Sequence, residues 1–161
     1  MNILFLGGDK RYRYMIAECK KRQFNVYQIG FNNTEDVKEL NIENINLSQF
    51  DIVIFPISGL NDKQEIKCEN GTIYLSDKIF SNISEKTIFY TGIKTKKLLE
   101  LIPEKQIISF LDYAEVKKVN DNLTVEGVMD DIKDKRKNSI CILGYRESWK
   151  RNIFKIKTNE Y

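Results

Sequence analysis

At 161 residues, 42% hydrophobic and 30% charged, the chain has the size and composition of one globular domain, or of one domain with a fragment of a second. It contains no histidine, which excludes Ser-His-Asp triads, Cys-His dyads and histidine-bearing zinc sites. The 26 basic and 23 acidic residues are interspersed and leave a net charge of +3, a weak electrostatic footprint, so no nucleic-acid partner is expected.

The first nine residues carry no basic segment and only four consecutive apolar residues, Ile3-Leu4-Phe5-Leu6, so neither a signal peptide nor a membrane span is expected. Cys19, Cys68 and Cys141 are scattered singly, with no CxxC pair, which fits a reducing, cytoplasmic setting. The apolar run Ile3–Leu6 reads as a strand ending in a Gly7-Gly8-Asp9 turn. Tyr12, Met15, Ile16 and Cys19 then recur at helical spacing, with Arg13, Lys20 and Lys21 on the other side. Asp9 reads most simply as the N-cap of that helix.

Val26–Ile29, ending at Gly30-Phe31-Asn32, and Asp51–Phe55, ending at Pro56, read as strands of a parallel sheet. Such strands are near-continuously apolar because helices cover both faces. The segment between them, with Val37 and Leu40, is at most a short helix. Asn70-Gly71-Thr72 reads as a chance Asn-x-Thr triplet. Thr87–Tyr90 closes at Thr91-Gly92, and Leu98, Leu99 and Ile102 suggest a helix that stops before Pro103; Gln106–Phe110 is a further strand. These βα units predict a doubly wound α/β domain over residues 1–120.

From Asn122, Val125, Val128, Met129 and Ile132 follow helical spacing to about Lys135, and Ser139–Gly144 resembles the first strand of a second α/β unit. Between them, Lys133–Lys137 reads as a solvated helix end or loop. In a parallel sheet the ligand crevice lies outside the carboxyl ends of the strands. Four such ends are small or polar here: Gly7-Gly8-Asp9, Gly30-Phe31-Asn32, Pro56-Ile57-Ser58-Gly59 and Thr91-Gly92. Glycines admit close backbone approach, helix starts offer N–H groups to anions, and the Arg11 guanidinium can pair bidentately with a carboxylate. A phosphoacceptor receiver is excluded because the third strand ends in Phe55-Pro56-Ile57-Ser58 without an aspartate. Gly7-Gly8-Asp9 also lacks the third glycine of a dinucleotide-binding turn.

Taken in order, Gly7-Gly8-Asp9-Lys10-Arg11, Gly30-Phe31-Asn32, Ile54 through Gly59, Tyr90-Thr91-Gly92-Ile93, and Asn120 through Gly127 resemble the N-terminal domain of the dipicolinate synthase A-subunit family. The resemblance covers residues 1 to about 145. It implies a flavodoxin-like N-terminal domain (1–120), a linking helix (121–137) and a C-terminal Rossmann domain. It also implies a role in sporulation, NADP as the oxidant of a dihydrodipicolinate-derived intermediate, and the flavoprotein-like second subunit of dipicolinate synthase as partner. Two departures stand out. Leu123 occupies the position where the family usually has proline, before Thr124-Val125-Glu126-Gly127. The last segment (138–161) reads Gly144-Tyr145-Arg146-Glu147-Ser148-Trp149-Lys150 where a GxGxxG turn is expected, leaving Gly144 as a vestigial cofactor residue. Either a frameshift or a natural short paralogue accounts for such an end.

The expected function is therefore the substrate-side domain of an NADP-dependent oxidoreductase of this type, inactive alone and holding no cofactor itself. The expected ligand is a small dicarboxylate. Arg11, Ser58, Thr91 and Thr124 are the expected carboxylate or ring contacts, with Gly8 and Gly92 allowing close approach. Glu126 is an acid/base candidate or a residue favouring the helix dipole. The alternative is a non-catalytic binding module that self-associates through apolar surface left uncovered, so a homo-oligomer is expected.

Overall fold

The computed structural model describes residues 1–32, 37–69 and 71–119. Met1–Phe110 is one compact unit and Leu111–Tyr161 a second, of which only 111–119 is described, with 114–119 helical. The expected linking helix and second-unit strand, with Thr124, Glu126 and Gly144, lie outside the described residues.

In the first unit, β1 (Asn2–Leu6) leads through a glycine turn into α1 (Tyr12–Lys21), followed by β2 (Asn25–Ile29), a two-residue β3 (Lys38–Glu39) and β4 (Ile52–Ile54). An antiparallel hairpin, β5 (Glu65–Cys68) and β6 (Gly71–Tyr74), precedes the short α2 (Asp77–Phe80). Then come β7 (Ile88–Thr91), α3 (Lys96–Leu101) and β8 (Ile107–Ser109). The six-stranded sheet runs β3-β2-β1-β4-β7-β8 and is parallel throughout. With the two-residue β3 set aside, its strands follow the flavodoxin-like order, in which the strand succession changes sense between β1 and β4 while the strands stay parallel.

Both faces of β1 are covered, which is why its side chains do not alternate in polarity. Ile3 and Phe5 pack with Tyr12 and Ile16 of α1, Phe31 and Ile54. Leu4 and Leu6 belong to the larger cluster on the other face, which includes Leu47, Val53, Phe55, Ile66, Phe80, Phe89 and Leu98. The expected helical cover is thus only half present. One face carries α1, whereas the other is roofed by turns, the hairpin and two short helices.

Several local differences have physical causes. Met15 is exposed although it follows the helical spacing of Tyr12 and Ile16. The segment before β4 forms 3-10 turns at Ile42–Asn44 and Leu47–Gln49 in place of a helix. Each is opened by an asparagine: Asn41 Oδ1 accepts the Glu43 N–H at 2.9 Å and Asn46 Oδ1 accepts the Ser48 N–H at 3.1 Å. These local bonds compete with continuous helix. Helix α1 ends with Gln23 at φ 61°, while the Gln23 N–H donates to Lys20 O and the Phe24 N–H to Cys19 O, the two bonds of a Schellman stop. Helix α3 is capped by the Thr95 hydroxyl, which accepts the Leu98 N–H, and it ends at Ile102, which precedes Pro103 and is extended as that position favours. Leu98 and Ile102 are buried and Leu99 is exposed.

Candidate functional site

The carboxyl ends of β1, β2, β4 and β7 form two different environments. On the β1–β2 side, β5 crosses the strand ends. The Gly7 N–H donates to Ile29 O at 2.9 Å and the Gly8 N–H donates to Lys67 O at 2.8 Å. A Cβ on Gly7 would lie 2.7 Å from Lys67 O, and one on Gly30 would lie 2.5 Å from Cys68 Sγ. The glycines do admit close backbone approach, but what approaches is the chain's own hairpin. Gly8 is accordingly buried, its N–H spent and the Tyr12 ring packed over it, so the expected contact between Gly8 and a ligand gives way to an internal one.

The hairpin is fastened by an ion pair not foreseen from the sequence. Arg13 donates through Nε to Glu69 Oε1 at 2.7 Å and through Nη2 to Glu69 Oε2, and Glu69 also accepts the Asn32 N–H at 3.1 Å. The Arg13 hydrogen bonds hold the Glu69 carboxyl below its ordinary range against the opposing effect of burial, and the Asn32 N–H adds to them. The Cys68 thiol is pushed up to about 11, chiefly by burial, and burial raises Cys19 as well. Neither is a thiolate nucleophile at neutral pH. Among the described residues no group of three or more histidine, cysteine or acidic side chains can hold a metal, and no helix is long and apolar enough to cross a membrane.

On the β1–β4 side Asp9, Arg11 and Ser58 stand exposed at the strand ends. The Asp9 carboxylate accepts the Arg11 backbone N–H at 2.9 Å, which makes it the cap of the turn feeding α1 and not the N-cap itself; that position is Arg11. Asp9 Oδ1 and Oδ2 also accept from Arg11 Nε at 2.9 and 3.1 Å, and Oδ2 accepts from Nη2. Both side chains are more than half exposed. This pairing lowers the Asp9 carboxyl and raises the Arg11 guanidinium. Next to them the buried Tyr12 hydroxyl donates to Phe55 O at 3.0 Å. Its acidity is suppressed first by burial and then by the Asp9 charge, while the Arg11 charge and the Ile57 N–H act oppositely on the same phenol. Through Tyr12 the first turn of α1 is tied to the end of β4 at the switch point of the sheet, and the Asp9–Arg11 pair lies in the turn that leads into that helix.

In that loop the Gly59 N–H donates to Pro56 O at 2.9 Å, and Ser58 sits exposed at the bend. No described residue hydrogen-bonds the Ser58 hydroxyl. Thr91 departs from its expected role: its hydroxyl is fully buried and is shared between Pro56 O at 3.3 Å and Ile93 O at 3.1 Å, tying the loop after β4 to the loop after β7. Gly92 is likewise internal. A Cβ there would lie 2.5 Å from Ile57 O, and its own carbonyl accepts the Ser109 hydroxyl at 2.7 Å. Of the residues singled out in the described chain, Arg11 and Ser58 face solvent, whereas Gly8, Thr91 and Gly92 build the walls.

A dinucleotide does not fit at the first strand, because the N–H groups of Gly7 and Gly8 that would meet a pyrophosphate are taken by Ile29 O and Lys67 O. The fold and site thus define a flavodoxin-like parallel α/β domain with a sealed β1–β2 edge and an open, guanidinium-bearing β1–β4 edge. A family model for the N-terminal domain of the dipicolinate synthase A subunit matches residues 2–114. The chain belongs to that family. It is similar to the dipicolinate synthase A subunit of Bacillus subtilis (strain 168), with 20% identity over 137 residues, covering 80% of this chain and 46% of that protein. The crystal structure of the dipicolinate synthase A subunit from Bacillus halodurans matches with a TM-score of 0.75 at 19% identity, over 86% of this chain and 50% of that one. The dipicolinate synthase A chain from Bacillus subtilis matches with a TM-score of 0.73 at 19% identity, over 86% and 49%. The chain spans about half the length of these relatives.

Proposed function

We propose that this domain is the substrate-side domain of a dipicolinate synthase A-type oxidoreductase serving dipicolinic acid formation in sporulation, and that it binds a small dicarboxylate at the β1–β4 edge. NADP, the hydride acceptor in this reading, is held outside the described domain. The observation that carries it is the contrast at the sheet edge: the turn where a phosphate would bind is filled by the hairpin, while the Arg11 guanidinium and the Ser58 hydroxyl stand exposed beside the switch point. A dicarboxylate needs such donors more than it needs a nucleophile, and with no histidine in the chain the domain's work is to bind and orient. The flavoprotein-like second subunit of dipicolinate synthase and a second copy of the chain are the partners this reading assigns.

Isothermal titration of the 161-residue chain tests it. Saturable binding of pyridine-2,6-dicarboxylate without binding of NADP supports the reading, and so does an absence of oxidoreductase turnover by the chain alone. Micromolar NADP binding, or no dicarboxylate binding at millimolar concentration, overturns it.

A further inference from the structure

Arg11 uses only part of its guanidinium within the fold. Nε and one Nη2 hydrogen face Asp9, and no described residue takes a hydrogen bond from Nη1. A guanidinium presents two bidentate edges, Nε with Nη2 and Nη1 with Nη2. Asp9 holds the first and leaves the second to a carboxylate from outside. The same Asp9 carboxylate also accepts the Arg11 backbone N–H, so the residue that fixes the side chain is itself fixed to the turn.

We infer that Asp9 is a positioning residue for Arg11, holding the guanidinium by one edge so that the other receives one carboxylate of the ligand. This deepens the dicarboxylate reading and rests on it. Two effects of Asp9 oppose each other. Its negative charge repels an incoming carboxylate, whereas its hydrogen bonds remove rotamer freedom that an unheld arginine would lose on binding. Both groups are exposed, so the repulsion acts across a high-dielectric, salt-screened gap and is the weaker of the two. Preorganisation wins, and removing the charge weakens binding.

The inference is tested by titrating pyridine-2,6-dicarboxylate into the 161-residue wild-type chain and the Arg11→Ala, Arg11→Lys and Asp9→Asn variants, with thermal melts run in parallel. Arg11→Ala is expected to lose about tenfold or more in affinity, as for a charge-assisted bidentate contact. Arg11→Lys, which keeps the charge but has no second edge, should not restore it. Asp9→Asn retains an acceptor for the Arg11 backbone N–H and should melt within a few degrees of wild type, yet bind about threefold more weakly. Tighter binding by Asp9→Asn would show that Asp9 is only a competing anion and would overturn the inference. Wild-type affinity in Arg11→Lys would overturn it with the dicarboxylate reading intact, whereas wild-type affinity in Arg11→Ala would overturn it together with the placement of the dicarboxylate at Arg11. If the wild-type chain binds no dicarboxylate, that reading falls and the inference with it.

Discussion

The two halves of the carboxyl edge use the same vocabulary of glycines, turns and arginines to opposite ends. At β1–β2 the glycines that mark a ligand crevice in the sequence are taken up internally, Gly7 and Gly8 donating to Ile29 and Lys67 and Gly30 making room for Cys68, and Arg13 beside them is clamped on Glu69. At β1–β4 the buried members, Thr91 and Gly92, lock two loops together, and the polar groups at the surface keep hydrogen-bonding capacity. The difference teaches that a glycine at a strand end reports close approach without saying of what. Whether a second chain segment has already arrived decides between wall and site.

The largest effect that would break this comparison comes from closing the gap the hairpin occupies. Gly7 combines φ 74° with a Cβ position 2.7 Å from a backbone carbonyl, so Gly7→Ala should cost about 3 kcal/mol, read as a fall in the urea midpoint. Gly71, at the start of β6, sharpens the point because its φ is 130° but nothing lies near its Cβ. Gly71→Ala should therefore cost only backbone strain, about 1 to 2 kcal/mol. Equal losses in the two variants would mean that crowding by β5 is not what Gly7 serves.

The ion pair under the hairpin makes a smaller prediction with a definite sign. Glu69 titrates lower in the fold than its ordinary value of 4.5, so the stability it contributes is fully present above that value and is lost as pH falls through the lowered one. Melts between pH 7 and pH 3 should show Glu69→Gln with a shallower acid-induced loss than wild type, and Asp9→Asn, at the exposed edge, with nearly the wild-type slope. A matching change in both variants would contradict the contrast between the sealed and open halves. The smallest effect is expected at Ser58. Its exposed hydroxyl has no bond to any described residue, so Ser58→Ala should change stability by less than about 0.5 kcal/mol.

Helix and strand content along β1, α1, β4, β7, α3 and β8 is legible because each carries a local signal: an apolar run, a helical repeat, or a stop at glycine or proline. The hairpin escapes that reading although its signal is present. Asn70-Gly71 between short alternating segments is a strong hairpin cue, and the same residues open an Asn-x-Thr triplet that is common by chance in so Asn-rich a chain. The observed register pairs Ile66 with Ile73 and Cys68 with Gly71, so Gly71 is the first residue of β6 and the strands meet one residue earlier than an Asn-Gly turn would set them. The Arg13–Glu69 pair has no comparable signal, since its members lie 56 residues apart.

By itself the sequence determined the parallel α/β class, the absence of histidine chemistry, the glycine turns at the strand ends, and the family, because these depend on residue type and short-range spacing. Only the tertiary structure decided which turns are closed and which are open. Gly8, Thr91 and Gly92 become wall, and Arg11 and Ser58 remain at the surface, through contacts between segments distant in the chain: Lys67 on Gly8, Pro56 on Thr91, and Ile57 on Gly92. A backbone N–H or a hydroxyl has the same chemistry in every sequence context. Its availability to a ligand depends on whether folding has already given it a partner.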